Sequence, residues 1–171
     1  MPSDNSFAAT FAQEALSSTP EKITAEQIQT LKLASPFAYQ IWQQKQSVCQ
    51  NFLTSYPLSQ FLTRQQISDL IDDYTLDDGL DDELKRADEA GVMRGLRRLR
   101  ELLMLRWIWQ DALGIISLEK LTSELSDFAD NCINFTKEYV WEQLVERYGR
   151  PTYIDSKGQR QFDDMAIFAM G

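Results

Sequence analysis

The sequence predicts an all-α fold: a helical bundle with long antiparallel helices, ending in a short turn and one strand. Three observations carry this. Apolar residues recur at steps of three and four along most of the 171 residues, the spacing of one helix face. Residues 103–113 are apolar on every side, and a helix without a polar face has to run through a core. Residues 117–148 keep the same spacing for about 48 Å of helix, and long neighbours of that kind pack as bundles.

The first twenty residues are rich in Ser, Thr and Ala, and Phe7, Phe11 and Leu16 give only a weak amphipathic pattern. Residues 1–34 therefore read as a polar arm with short helices. Thr24 followed by Gln27 is a capping box that opens one such helix through Leu33. Ser35-Pro36 starts the next, with a capping hydroxyl and proline in the first turn. Phe37, Ile41, Trp42, Val48, Cys49, Phe52 and Leu53 share one face of it, and Pro57 ends it. A shorter helix runs through Phe61, Ile67, Leu70 and Ile71.

An acidic stretch follows, from Asp69 to Glu89. Its glycine, Gly79, invites a calcium-loop reading, but the first, third and twelfth ligand positions would be Tyr74, Leu76 and Lys85, none of which can serve. The fifth helix spans about 88–113. Val92, Leu96, Leu99 and Leu103 lie on one side of its first half, Arg94, Arg97, Arg98 and Glu101 on the other. Arg106 falls inside the apolar second half beside Trp107, Ile108 and Trp109, so its guanidinium must meet a carboxylate or a group of carbonyls, or reach water. Gly114 breaks this helix and Ser117 caps the next, whose Leu118, Leu121, Leu125, Phe128, Cys132, Phe135 and Tyr139 form a stripe. Gly149 and Pro151 stop it, closing a bundle over 35–149.

Residues 150–171 change character. Asp155-Ser156-Lys157-Gly158 is a turn signal between Thr152-Tyr153-Ile154 and Phe162. Residues 165–170 are a continuous apolar run of strand length. A single buried-type strand has no sheet to join, so the sequence reads as stopping at the entrance of an α/β domain.

Composition narrows the function. A net charge of −9 opposes sequence-independent binding to nucleic acid or anionic membrane. Histidine is absent, which removes Ser-His-Asp and Cys-His catalysis and the usual zinc sites. Cys49 and Cys132, each in an apolar helical pattern, read as buried thiols of a reducing compartment. Met1 to Ser6 lacks the basic start of a signal peptide, and no apolar run reaches the roughly 18 residues of a membrane helix. The expected setting is cytoplasmic.

No group reads as a complete site. Arg94, Arg97, Arg98 and Arg100 could form a phosphate or nucleic-acid patch, but the interleaved Asp88, Glu89 and Glu101 favour a solvated or ion-paired helix face. Asp69, Asp72 and Asp73 share a helix face that could at most hold a cation weakly. Asp163 and Asp164, adjacent before the strand, would point to opposite sides of it. No catalytic or metal-binding residue is assigned.

The run Asp88-Glu89-Ala90-Gly91-Val92-Met93-Arg94-Gly95-Leu96-Arg97-Arg98-Leu99-Arg100, with Met104-Leu105-Arg106-Trp107-Ile108-Trp109 after it, closely resembles a segment of the bacterial bifunctional glutamine synthetase adenylyltransferase/adenylyl-removing enzymes. The likeness continues through Tyr148-Gly149-Arg150-Pro151 and covers 165–171, similar to the strand that in the family leads to Met-Gly-Lys-Leu-Gly-Gly and then Ser-Ser-Asp-Ile-Asp. It is weak before about residue 35.

The resemblance implies two nucleotidyltransferase domains in one long chain. The N-terminal one takes AMP off a tyrosine of glutamine synthetase with phosphate, giving ADP; the C-terminal one attaches AMP from ATP. It implies magnesium held by an Asp-x-Asp pair, ATP/ADP, and as partners glutamine synthetase and a nitrogen-signalling regulatory protein. This sequence contains no Asp-x-Asp, so no catalytic residue carries over. Gly171 matches the start of the nucleotide loop, and Arg94, Arg97, Arg98 and Arg106 match scaffold or domain-surface positions. The expectation is the N-terminal helical part of the adenylyl-removing half, inactive alone, with no cofactor bound. The alternatives are a stand-alone helical protein-interaction module and, less compatible with the charge, a nucleic-acid-binding helical domain.

Overall fold

The computed structural model describes residues 23–76 and 88–167. Six α-helices lie among them: α1 (Ala25–Ala34), α2 (Pro36–Gln44), α3 (Gln46–Ser55), α4 (Arg64–Thr75), α5 (Glu89–Ala112) and α6 (Leu118–Tyr148). Two short strands, β1 (Thr152–Ile154) and β2 (Arg160–Phe162), follow. The chain divides into two compact units, Met1–Phe61 with Arg100–Leu121, and Leu62–Leu99 with Thr122–Gly171.

In the first unit the predicted helix starts are present. The Thr24 hydroxyl accepts the Gln27 N–H at 3.2 Å, and Gln27 Oε1 accepts the Thr24 N–H at 2.8 Å, a reciprocal cap on α1. Ser35 Oγ accepts the Ala38 N–H at 3.2 Å, with Pro36 in the first turn of α2. The expected single helix from Pro36 to beyond Leu53 is two, because the backbone at Lys45 leaves helical geometry at φ −129°, ψ 35°. No glycine or proline marks this break. It falls at the residue whose ammonium pairs with Glu101 of α5.

Leu31, Ala38, Ile41, Trp42, Cys49, Phe52 and Leu53 fill the interior of this unit from α1–α3, and α5 adds Leu102, Leu103, Leu105, Trp107 and Trp109. Trp42 and Trp109 meet edge to face with ring centroids 5.0 Å apart, the arrangement the ring quadrupoles favour. The Trp109 indole N–H donates to Gln27 O at 2.9 Å, so its polar atom is satisfied inside the core. Both tryptophans are buried as the all-round apolar pattern requires, while Ile108 is half-buried. Gly114, at φ 65°, ends α5. The Ile115 N–H turns back to Gln110 O at 2.9 Å, a left-handed cap that glycine adopts without strain.

In the second unit α4 starts later than expected. Phe61 lies outside it, and Thr63 caps it through a second reciprocal box with Gln66. Asp88 Oδ1 accepts the Gly91 N–H at 2.7 Å where α5 begins. Ile67, Leu70, Ile71, Val92, Leu99 and Phe135 are the buried apolar residues of α4–α6 here. At Gly95 an added Cβ would stand 1.8 Å from Tyr74 O, so α5 passes the end of α4 at a distance only a hydrogen allows. Along α6 the stripe is thinner than predicted. Phe135 is buried and Leu121, Leu125, Phe128, Cys132 and Tyr139 are partly covered, but Leu118, in the first turn, is 71% exposed.

At the C-terminus the expected turn is present. The turn signal at 155–158 is the loop of an antiparallel hairpin, with Thr152 opposite Phe162, Tyr153 opposite Gln161 and Ile154 opposite Arg160. Asp155 makes the turn. Its Oδ1 accepts the Gln159 and Lys157 N–H groups, each at 2.9 Å, and its Oδ2 accepts from the Gln161 side chain at 3.1 Å. These donors hold its carboxyl below the usual aspartate range, the Gln159 N–H contributing most. Gly158 supplies the positive φ, 76°. The single strand expected at 165–170 is not formed over 165–167, which have no regular secondary structure, and the rest of it lies outside the described residues.

Candidate functional site

Helix α5 carries all the arginines that the sequence singles out, and the structure treats them in two ways. Arg106 is fully buried in the first unit. Its Nε donates to Tyr56 O at 3.3 Å, and its two terminal nitrogens reach Pro57 O at 3.3 Å, Gln110 Oε1 at 3.1 Å and Gln60 O. Gln110, one helical turn on and equally buried, sends its Nε2 to Leu58 O at 2.8 Å and Gln60 O at 2.9 Å. The pair grips the turn that joins α3 to α4. A turn exposes carbonyls without helix or sheet partners, and burying them is costly unless donors arrive from elsewhere. A guanidinium presents five donors in a fixed plane, so one side chain can serve several oxygens.

Arg94, Arg97 and Arg98, in the second unit, are exposed on one side of α5. The Arg98 guanidinium lies over the Tyr74 ring, 5.9 Å from its centroid. Two of the three acids expected to neutralise this face are engaged elsewhere, Asp88 on the Gly91 N–H and Glu101 on Lys45; Glu89 is exposed at the start of α5. Arg100 is exposed as well.

The remaining candidates separate. Asp69 accepts from the Gln65 side chain at 2.8 Å, and Asp72 and Asp73 are exposed on α4. Among the described residues no three His, Cys, Asp or Glu side chains come together as a metal-holding group. Asp164 lies 3.4 Å from Lys137. Its carboxyl is held low, first by the Met165 N–H and then by that lysine. Gly171 and the acidic residues from Asp77 to Glu83 lie outside the described residues.

Both thiols are free. Burial pushes Cys132 up to about 11 and raises Cys49 as well. Because the thiolate is the nucleophile, both cysteines should react sluggishly with iodoacetamide near neutral pH in the folded protein. Cys132 should gain reactivity only as pH rises toward 11. Mass-spectrometric labelling against a urea-unfolded control checks this; equal rates in both states would contradict it.

Sequence reasoning missed Gln110 and Glu124. Glu124, buried on α6, accepts the Leu62 N–H at 3.1 Å just before the cap of α4. On the same side of α6, Asp127 and Asp130 each lie 3.5 Å from the Arg64 guanidinium, and the Asn131 side chain donates to Arg64 O at 3.1 Å. Negative groups at a helix N-terminus complement its dipole. The signal was available: 124, 127, 130 and 131 fall on one helical face, polar beside an apolar stripe.

The described residues thus form a mostly helical protein whose buried polar groups secure a turn and a helix end. The chain belongs to the glutamate-ammonia ligase adenylyltransferase family, whose sequence model matches residues 12–171. It is 35% identical over 153 residues to the bifunctional glutamine synthetase adenylyltransferase/adenylyl-removing enzyme of Acinetobacter baylyi (strain ATCC 33305 / BD413 / ADP1). That match covers 87% of this chain and 15% of the relative. The enzyme of the same name from Thioalkalivibrio sulfidiphilus (strain HL-EbGR7) is 37% identical over 84 residues, 49% of this chain and 8% of that protein. The chain therefore corresponds to a small part of the length of these relatives. No solved structure matches it. No helix among the described residues is long and apolar enough to cross a membrane.

Proposed function

We propose that the chain is the N-terminal helical part of the adenylyl-removing half of a glutamine synthetase adenylyltransferase, and that it is inactive on its own. The observation that carries this is the match of 87% of the chain to only 15% of a bifunctional relative. The helical fold agrees with a supporting role, as does the absence of any Asp-x-Asp in the sequence. Nucleotidyl transfer relies on carboxylates that hold magnesium in register with the moving group. In this reading magnesium, ATP and ADP are handled by other parts of the full-length enzyme. Glutamine synthetase and a nitrogen-signalling regulatory protein are its partners, in the cytoplasm.

The test pairs the 171-residue chain with a longer one, in which the same residues are followed by the remainder of the Acinetobacter baylyi relative. Each is given adenylylated glutamine synthetase, magnesium and phosphate, and ADP release is measured. The short chain should stay silent and the longer one should release ADP. Release by the short chain overturns the scaffold reading. A folded longer chain that attaches AMP from ATP but never releases ADP overturns the assignment to the adenylyl-removing half.

A further inference from the structure

Independently of that reading, we infer that the side of α5 formed by Arg94, Arg97 and Arg98 is a docking surface for a carboxylate-rich segment of another protein. The three positions are three and four residues apart, so their side chains rise from one side of the helix within about one turn. All three are exposed, and none makes an ion pair among the described residues. Of the neighbouring acids, Asp88 is held by the Gly91 N–H and Glu101 by Lys45, which leaves the exposed Glu89, five residues before Arg94, as the one acid set against three cations. The rest of the chain carries net negative charge, so an acidic partner is repelled by most of the surface and drawn to this part of it. That selects orientation as well as partner.

Three further features fix the chemistry. The side of a helix is convex, whereas small molecules are held in concave sites; a protein segment fits the shape and a free anion does not. All three cations are arginines, whose planar fork meets a carboxylate with two parallel hydrogen bonds, as a lysine cannot. Arg98 is already ordered on the Tyr74 ring. Beside Arg97, one turn back, Met93 is 45% exposed. It offers the apolar contact that interface centres combine with arginine.

The experiment uses the 171-residue chain and a fluorescent helical peptide with glutamates three and four residues apart, read by anisotropy at low salt. Binding should weaken as salt is raised, since exposed pairs are screened. The Arg94→Gln, Arg97→Gln, Arg98→Gln triple variant should bind about tenfold more weakly, the sum expected of three exposed pairs. Arg147→Gln, altered at the far end of α6, should bind as the parent does. Circular dichroism confirms that the triple variant is folded. The inference is overturned if the parent chain does not bind the peptide, or if the triple variant binds as tightly as Arg147→Gln. It is also overturned if inorganic pyrophosphate or a short RNA binds this face more tightly than the peptide, which would make it a phosphate site.

Discussion

Replacing Arg106 with alanine should lower the unfolding free energy by about 2–4 kcal/mol, the cost of leaving neutral oxygens without their donor and of opening a cavity. Two losses combine. The partly buried carbonyls of Tyr56, Pro57 and Gln60 and the buried amide oxygen of Gln110 lose a shared donor. A buried polar group deprived of its partner costs about 1–3 kcal/mol by itself. The missing side chain, fully buried in the parent, also leaves a cavity with its own cost. Urea titration followed by tryptophan emission measures the change, since Trp107 and Trp109 report on the same interior. Arg106→Met keeps most of the volume and removes only the donors, so it should fall between alanine and the parent. A loss within about 0.5 kcal/mol, the usual range for a surface change, would mean that the carbonyls are satisfied without the guanidinium.

Gly95→Ala should destabilise the protein by about 2 kcal/mol or more, although alanine is the better helix former by about 1 kcal/mol. The sign follows from the space available. The new methyl carbon would lie 1.8 Å from Tyr74 O and 2.8 Å from Tyr74 C, both backbone atoms that no side-chain rotation can move. α5 would have to retreat from the end of α4 and lift Val92 and Leu99 out of their packing. Urea unfolding of the variant measures this. A net gain in stability would show that the two helices separate at little cost, and that the glycine is there for some other reason.

Local chemistry was the legible part of the sequence. Thr24 with Gln27, Ser35 with Pro36, Gly114, Gly149 and the 155–158 turn each announce an element boundary through groups within four residues of it, and the structure places boundaries there. The burial of Trp107 and Trp109 followed from periodicity alone. What could not be read is what depends on distant partners. The break at Lys45 coincides with a pairing to Glu101, 56 residues away. The carbonyls that receive Arg106 lie 46–50 residues back, and the sequence indicated a need for partners without saying which. The arginine side of α5 shows the same limit in reverse. Asp88 and Glu101 are near enough in sequence to suggest neutralisation, but a helix start and a lysine on another segment engage them first. Residues 165–170 have strand composition, yet a strand requires a neighbour, and over 165–167 none is formed.

The grip of Arg106 on residues 56–60 also bears on acidity. A guanidinium keeps its proton at any pH a folded protein survives, and the amide of Gln110 has no proton to exchange for charge. The chain contains no histidine, the side chain whose ordinary titration falls between about pH 5 and 8. The cysteine thiols are pushed away from that interval by burial. The turn between α3 and α4 is therefore fastened by groups whose protonation is the same in a mildly acidic and a mildly alkaline solution. A change of pH within that interval should leave these described contacts of the turn in place, whereas a change in packing would reach them directly.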